Sequence, residues 1–328
     1  MHEIGGFTFE SGESLEVMQV GYDTHGTLNQ ARDNAILITH GTSGDRHGYD
    51  DYIGPGRAFD TERFFVVTVD AIGGGDSSKP SDGLGTDFPA YNMRDMVHAQ
   101  HHLLREGLGV ERLAAVAGPS MGGFLALEWG VQYPGYVDNL VVIAGAPYSD
   151  RLYGAVIDTM VEAMQLDPAW QDGDPQTNAA DGLEVAGLVF TPWLYSDAIM
   201  NRLDPDEFEW LFRSMGRGWA ESWQAVDWMY RYRAAQSHDI AAPFEGDLEA
   251  ALATIEARTL IVHMSSERLF PERHAQAMDE GIADSTLVVL ETDRGHMGCC
   301  QPEGLAEHQE LSAMIAEFLG EQAALAGN

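Results

Sequence analysis

The chain has 328 residues, 45% of them apolar, enough for one large α/β domain with an insertion or for two ordinary domains. Its 52 acidic and 18 basic residues leave a net charge of −34, with Lys79 the only lysine; such a surface repels nucleic acids and anionic membranes and fits two readings, a salty medium in which self-repulsion is screened, or a merely acidic mesophilic enzyme. No apolar run reaches bilayer-spanning length, and the start Met-His-Glu-Ile-Gly-Gly lacks the basic flank and apolar stretch of a secretory signal, so a cytoplasmic protein is expected.

Residues 7–9 and 15–22 alternate in the manner of an antiparallel hairpin. Short apolar runs follow at 34–39, 64–69, 113–117, 140–144, 259–264 and 286–290, and helical spacing appears at 91–106, 122–132, 272–281 and 302–322. Strands alternating with helices imply a mostly parallel central sheet with helices on both faces. The stretch 147–251 breaks this rhythm. It is helical in pattern and holds six of the seven tryptophans, Trp170, Trp193, Trp210, Trp219, Trp223 and Trp228, beside Met160, Met164, Met200, Met215 and Met229. Placed between two strands it would lie over their carboxyl ends, where ligands bind in such sheets. It reads as a helical lid on a core of 1–146 and 252–328, most of its aromatics packing together and a few lining an apolar pocket. The lid is also expected to offer a homodimer surface. The two cysteines, Cys299 and Cys300, are adjacent; a bridge between them would be strained and their spacing does not suit zinc, so they read as free thiols.

Around position 120 the chain reads Gly118-Pro119-Ser120-Met121-Gly122-Gly123, a Gly-x-Ser-x-Gly pentapeptide between the apolar run 113–117 and the helical run 122–132. On such a strand-turn-helix reversal the serine hydroxyl projects above the sheet at a helix N-terminus, and the glycines remove Cβ clashes from the turn. The helix dipole and free N–H groups there favour developing negative charge. The pentapeptide alone is a weak signal. A serine nucleophile also needs a base, an acid that orients the base, and N–H donors for the oxyanion.

Each of these has a candidate just past a strand. Run 259–264 is followed by Ser265-Ser266-Glu267-Arg268-Leu269-Phe270-Pro271, and run 286–290 by Asp293-Arg294-Gly295-His296. The chain order Ser, acid, His is the one this turn uses, which makes Glu267 the acid and His296 the base. Of the twelve histidines, His98, His101 and His102 fall on a predicted helix and His263 inside a strand, while the competing acids Asp279 and Asp284 lie on or after the next helix. The turn His40-Gly41-Thr42-Ser43-Gly44 follows the run 34–39, the place of one oxyanion N–H, assigned to Thr42; Met121, next to the serine, supplies the other. The loop from Asp70 to Ser77 is Gly-rich but lacks the Gly-Lys-Ser/Thr ending of a phosphate loop, and reads as a shaped active-site loop.

Together these residues resemble the homoserine O-acetyltransferase-like branch of the α/β-hydrolases, over most of the chain. The resemblance is carried by the His40 turn, by Ile53-Gly54-Pro55-Gly56-Arg57-Ala58-Phe59-Asp60-Thr61, by Arg94-Asp95-Met96-Val97, by the Ser120 turn with Leu127-Glu128-Trp129, by Asp167-Pro168-Ala169-Trp170, and by Glu267-Arg268-Leu269-Phe270-Pro271. It implies an α/β-hydrolase fold with a lid and acyl-enzyme chemistry. The family's triad aspartate falls on Glu267, one methylene longer. Members that acylate homoserine carry Gly-His-Asp, whose Asp helps hold the substrate ammonium; here Met297 follows the histidine, and Gly75-Asp76-Ser77-Ser78-Lys79-Pro80 replaces the family's Gly-Ser-Thr-Gly-Pro loop.

Losing that charge partner places carboxylic-ester hydrolysis first, with acyl-CoA-dependent O-acyl transfer second. The partners expected are a small ester or an acyl-CoA, with no cofactor and no metal. A non-catalytic binding scaffold would be expected to have lost the nucleophile, the base or the oxyanion turn, and all three are present.

Overall fold

The alternating N-terminal segment folds as a hairpin of β1 (His2–Thr8) and β2 (Ser14–Val20), with His2 opposite Val20 and Thr8 opposite Ser14. It starts earlier than the alternation suggests, because Gly5 and Gly6 dilute a pattern in which Ile4 and Phe7 face inward. Tyr22 does not extend β2: at Gly21 a Cβ would stand 2.5 Å from Asp70 Oδ2, and the chain passes there into a separate strand, β3 (Tyr22–His25). The chain continues through β4 (Ala35–Ile38), the two-residue parallel pair β5 (Ile53–Gly54) and β6 (Phe59–Asp60), β7 (Phe65–Val69), β8 (Leu113–Pro119), β9 (Asn139–Ile143), β10 (Arg258–Met264) and β11 (Ser285–Leu290). The main sheet has seven strands in the order β11-β10-β9-β8-β4-β7-β3, parallel throughout except for β3 at the edge. Every residue of β4, β8 and β9 is buried, as continuous apolar runs covered on both faces require.

This computed structural model describes residues 1–326, with side chains through Gly320. α1 (Met93–His102) starts after Asn92, whose side chain caps Arg94 N–H and Asp95 N–H while Asp95 reaches back to Asn92 N–H. α2 (Met121–Gln132) follows β8 directly and is buried along nearly its whole length. Between β9 and β10 lie α3 (Arg151–Gln165), α4 (Ala180–Leu194), α5 (Asp197–Arg202), α6 (Pro205–Ser222), α7 (Ala225–Gln236) and α8 (Leu248–Ala253). α4 and α6 meet at Gly187 and Gly216, where a Cβ on Gly187 would stand 2.5 Å from Gly216 Cα. Trp219, Trp228 and Tyr232 pack ring against ring beside Phe190, and Trp210 stays 66% exposed. α9 (Glu272–Gly281) and α10 (Ala306–Ala326) complete the layers. α10 begins later than the spacing suggests because Gly304, at φ 98°, interrupts the segment after Pro302. No helix among the described residues is long and apolar enough to cross a membrane.

Candidate active site

β8 ends at Pro119 and α2 begins at Met121, so Ser120 by itself makes the turn, at φ 55° and ψ −119°. A non-glycine residue held there costs about 1–3 kcal/mol and persists only where its surroundings over-determine it. Ser120 N–H donates to Ile143 O on β9 at 2.8 Å, and Ser120 O accepts from Gly123 N–H at 2.8 Å and Phe124 N–H at 3.2 Å. The two glycines of the pentapeptide are needed for space and not for φ. A Cβ on Gly118 would stand 2.3 Å from Thr39 Oγ1, and one on Gly122 3.0 Å from Thr39 O.

Glu267 and His296, read from separate strand ends, meet: His296 Nδ1–H donates to Glu267 Oε2 at 2.7 Å. The other carboxylate oxygen, Oε1, accepts from the N–H groups of Arg268, Leu269 and Phe270 at 2.9, 2.7 and 3.4 Å. Burial pushes the Glu267 pKa up, but the imidazole and the loop N–H groups outweigh it and hold the carboxyl below its usual range. Burial works against the imidazolium too, yet the Glu267 charge prevails and raises His296 above its ordinary value. With Nδ1 committed to Glu267, Nε2 is the nitrogen left to take a proton. The two loops are tied by Ser266, whose hydroxyl donates to Thr292 O at 2.6 Å and accepts from Gly295 N–H at 2.9 Å. Gly295, at φ 65°, has no room for a side chain: a Cβ would stand 2.7 Å from Ser196 N in the helical insertion.

Ser120 and His296 line one cavity of about 200 Å³, together with Thr42, Ser43, Tyr49, Met297, Cys299 and Cys300. The insertion contributes Phe190, Leu194, Met215 and Tyr232, so the pocket-facing side chains expected from it include no tryptophan. Among the described residues no Asp, Glu, Lys or Arg lines the cavity. Both cysteines are free, with Sγ atoms 2.7 Å apart, and Tyr49 Oη–H donates to Cys299 O at 2.6 Å. Among the described residues the N–H groups of Thr42 and Met121 donate to no protein acceptor. No group of three or more His, Cys, Asp or Glu side chains among the described residues gathers to hold a metal ion.

Two residues at this site escape a reading by motif. His40 does more than open its turn: Nδ1–H donates to Gly41 O at 2.8 Å and Nε2 accepts from Ala71 N–H at 3.0 Å. Burial and the nearby Arg231 push its pKa down to about 4, so it is a neutral strut and not a base. Arg231 comes from α7 and is fully buried. Its place on the same face as Trp228 and Ala235, a charge on an apolar helical stripe, is the sequence signal that could have found it.

The model of the α/β-hydrolase fold family matches residues 34–301. A homoserine O-acetyltransferase of Mesorhizobium japonicum is 33% identical, the match covering 97% of this chain and 91% of that protein. A homoserine O-succinyltransferase of Litchfieldella anticariensis is 31% identical over 94% of this chain and 89% of its own length. Among solved structures, an acetylester hydrolase from Corynebacterium glutamicum superposes with a TM-score of 0.91 at 27% identity, covering 97% of this chain and 95% of that one. With a matched core that runs from β4 past His296, and relatives aligned nearly end to end, the chain belongs to the α/β-hydrolase family, in the branch that includes the homoserine O-acyltransferases.

Proposed function

We propose that this enzyme hydrolyses small carboxylic esters through an acyl-enzyme on Ser120, and the observation that carries the reading is the uncharged cavity. An amino-acid acceptor would bring an ammonium and a carboxylate into a space lined, among the described residues, by no Asp, Glu, Lys or Arg, where neither finds a charged partner. The residue after the base, where a carboxylate would face an ammonium, is Met297. The volume of about 200 Å³ suits an acetyl- or propionyl-sized group rather than a long acyl chain.

In the first step His296 Nε2 takes the Ser120 hydroxyl proton as Oγ attacks the ester carbonyl, and the N–H groups of Thr42 and Met121 hold the oxyanion. The intermediate collapses, the carbonyl–oxygen bond breaks and the imidazolium returns the proton to the leaving alkoxide. Water then repeats the sequence against the acyl-enzyme and releases the acid. Glu267 keeps the imidazole in its Nδ1–H form and stabilises the cation that appears twice per turnover. The insertion from α3 to α8 acts as the lid over this site, and its exposed Trp210 suits a homodimer contact there, which the mass in solution checks.

Transfer to an alcohol is the second reading. The curated relatives are named for acyl transfer to homoserine and so favour it over the hydrolysis that the sequence places first, whereas the acetylester hydrolase is a neighbour on the hydrolytic side. The deciding experiment supplies p-nitrophenyl acetate, and separately acetyl-CoA with and without homoserine, and follows the p-nitrophenol burst, free CoA and O-acetylhomoserine. Ester hydrolysis without an acceptor, lost by about 10⁴-fold or more in Ser120→Ala, is expected. CoA release only when homoserine is present would replace hydrolysis with transfer.

A further inference from the structure

Arg231 is a fully buried guanidinium with no carboxylate within ion-pair distance among the described residues. The nearest acids are spoken for: Asp70 is held by Arg46, and Asp227 by the hydroxyl and N–H of Ser81. A buried charge without a counter-ion is costly and is kept only where oriented dipoles replace the water it lost. Here the dipoles are carbonyls. Nη1 donates to Thr42 O at 3.2 Å and to Gly44 O at 3.3 Å, and Nη2 donates to Ala71 O at 3.2 Å, with the guanidinium 5.1 Å from the Trp223 ring centroid. The backbone leaves a slot for it, since a Cβ on Gly74 would stand 2.2 Å from Nη2.

The three carbonyls lie on the loops that follow β4 and β7, the first of which borders Ser120 in the cavity. The Thr42 N–H belongs to the Gly41–Thr42 peptide, whose oxygen is held by His40, and the next peptide plane is held at Thr42 O by Arg231. Ala71 ties the two clamps together, its N–H on His40 and its oxygen on Arg231. Both peptide planes flanking Thr42 are therefore fixed, which fixes the direction of its N–H. We propose that Arg231 is a positioning residue through which helix α7 of the insertion holds the oxyanion turn in its working orientation. This rests on the acyl-enzyme reading above. It makes the insertion a structural part of the oxyanion hole as well as a cover: moving α7 away would release the Thr42 peptide.

The test compares wild type with Arg231→Met and Arg231→Lys on p-nitrophenyl acetate, alongside inhibition by a short alkylboronic acid and by a planar amide of the same length. The boronate becomes tetrahedral on Ser120 and places an oxygen in the hole; the amide does not. Expected for Arg231→Met is a fall in kcat of about 10²–10³-fold with KM within about threefold, and boronate inhibition weakened in step while the amide binds as before. Arg231→Lys, which keeps the cation and a donor, should recover part of both losses. A folded Arg231→Met with kcat within threefold of wild type overturns the proposal, as does amide binding that falls together with kcat, the mark of a merely structural role. Should the Met variant not fold, the boronate-to-amide ratio of the Lys variant decides by the same criterion. Fluorophosphonate labelling of the wild type separates the two levels. An unlabelled Ser120 removes the acyl-enzyme reading and this role with it, whereas a labelled Ser120 with unimpaired Arg231 variants removes this role alone.

Discussion

Glu267 carries its carboxylate one methylene further out than an aspartate would, and its surroundings take up the extra length: three loop N–H groups hold Oε1 and the imidazole holds Oε2. Because that charge raises the His296 pKa, and a histidine acting as general base works only when neutral, the acid limb of kcat/KM under the proposed mechanism should lie above the ordinary histidine value of 6.5. Glu267→Gln removes the stabilisation of the imidazolium, so the limb should move to lower pH while kcat falls by about 10³–10⁴-fold. A pH–rate profile of the variant with the limb unmoved would refute this electrostatic role. At this scale the sequence was informative about which residues stand at strand ends. It was silent about what holds them. Nothing in the spacing of Ser120, Glu267 and His296 reveals that His40 and Arg231 brace the Thr42 turn, because those bonds join residues up to 189 positions apart.

Helix α2 shows how an element that presents the serine also stores a pH dependence. Glu128 lies on its buried length, and burial pushes its pKa up to about 8, with Arg94 and Gln132 opposing only in part. His238 Nδ1 stands 3.7 Å away, but burial drives His238 down to about 3, so the two face each other as neutral groups. The folded state binds the Glu128 proton more tightly than the unfolded chain does. Its contribution is therefore fully present below about pH 4.5 and lost as pH rises through about 8. Glu128→Gln cannot ionise, so its stability relative to wild type should grow by about 3 kcal/mol between pH 4 and pH 7, on the order of one pKa unit per 1.4 kcal/mol. Denaturant midpoints at the two pH values measure it, and equal differences at both would contradict it. The elements themselves were legible from apolar runs and helical spacing. Their ends were set by local chemistry: the Asn92 cap fixed the start of α1, and Gly304 delayed α10.

Over the whole molecule, a net charge of −34 repels itself, and salt screens that repulsion as the Debye length falls from about 10 Å at 0.1 M to about 3 Å at 1 M. The melting temperature should rise by at least a few degrees from low salt to 1 M KCl, a gain on the order of 1–2 kcal/mol; a flat profile would mean that the acidic surface carries no salt adaptation. The sequence by itself determined the parallel sheet, the serine turn and the chain order of serine, acid and histidine, because strand periodicity and strand-end motifs are local properties of the chain. Only the tertiary structure decided that no Asp, Glu, Lys or Arg among the described residues lines the cavity, that Ser120 and not a glycine carries the positive φ, and that an arginine from the helical insertion grips the turn at Thr42. Those depend on which side chains converge above the strand ends, and that convergence is set by the packing of α4, α6 and α7 over the sheet rather than by any pattern along the chain.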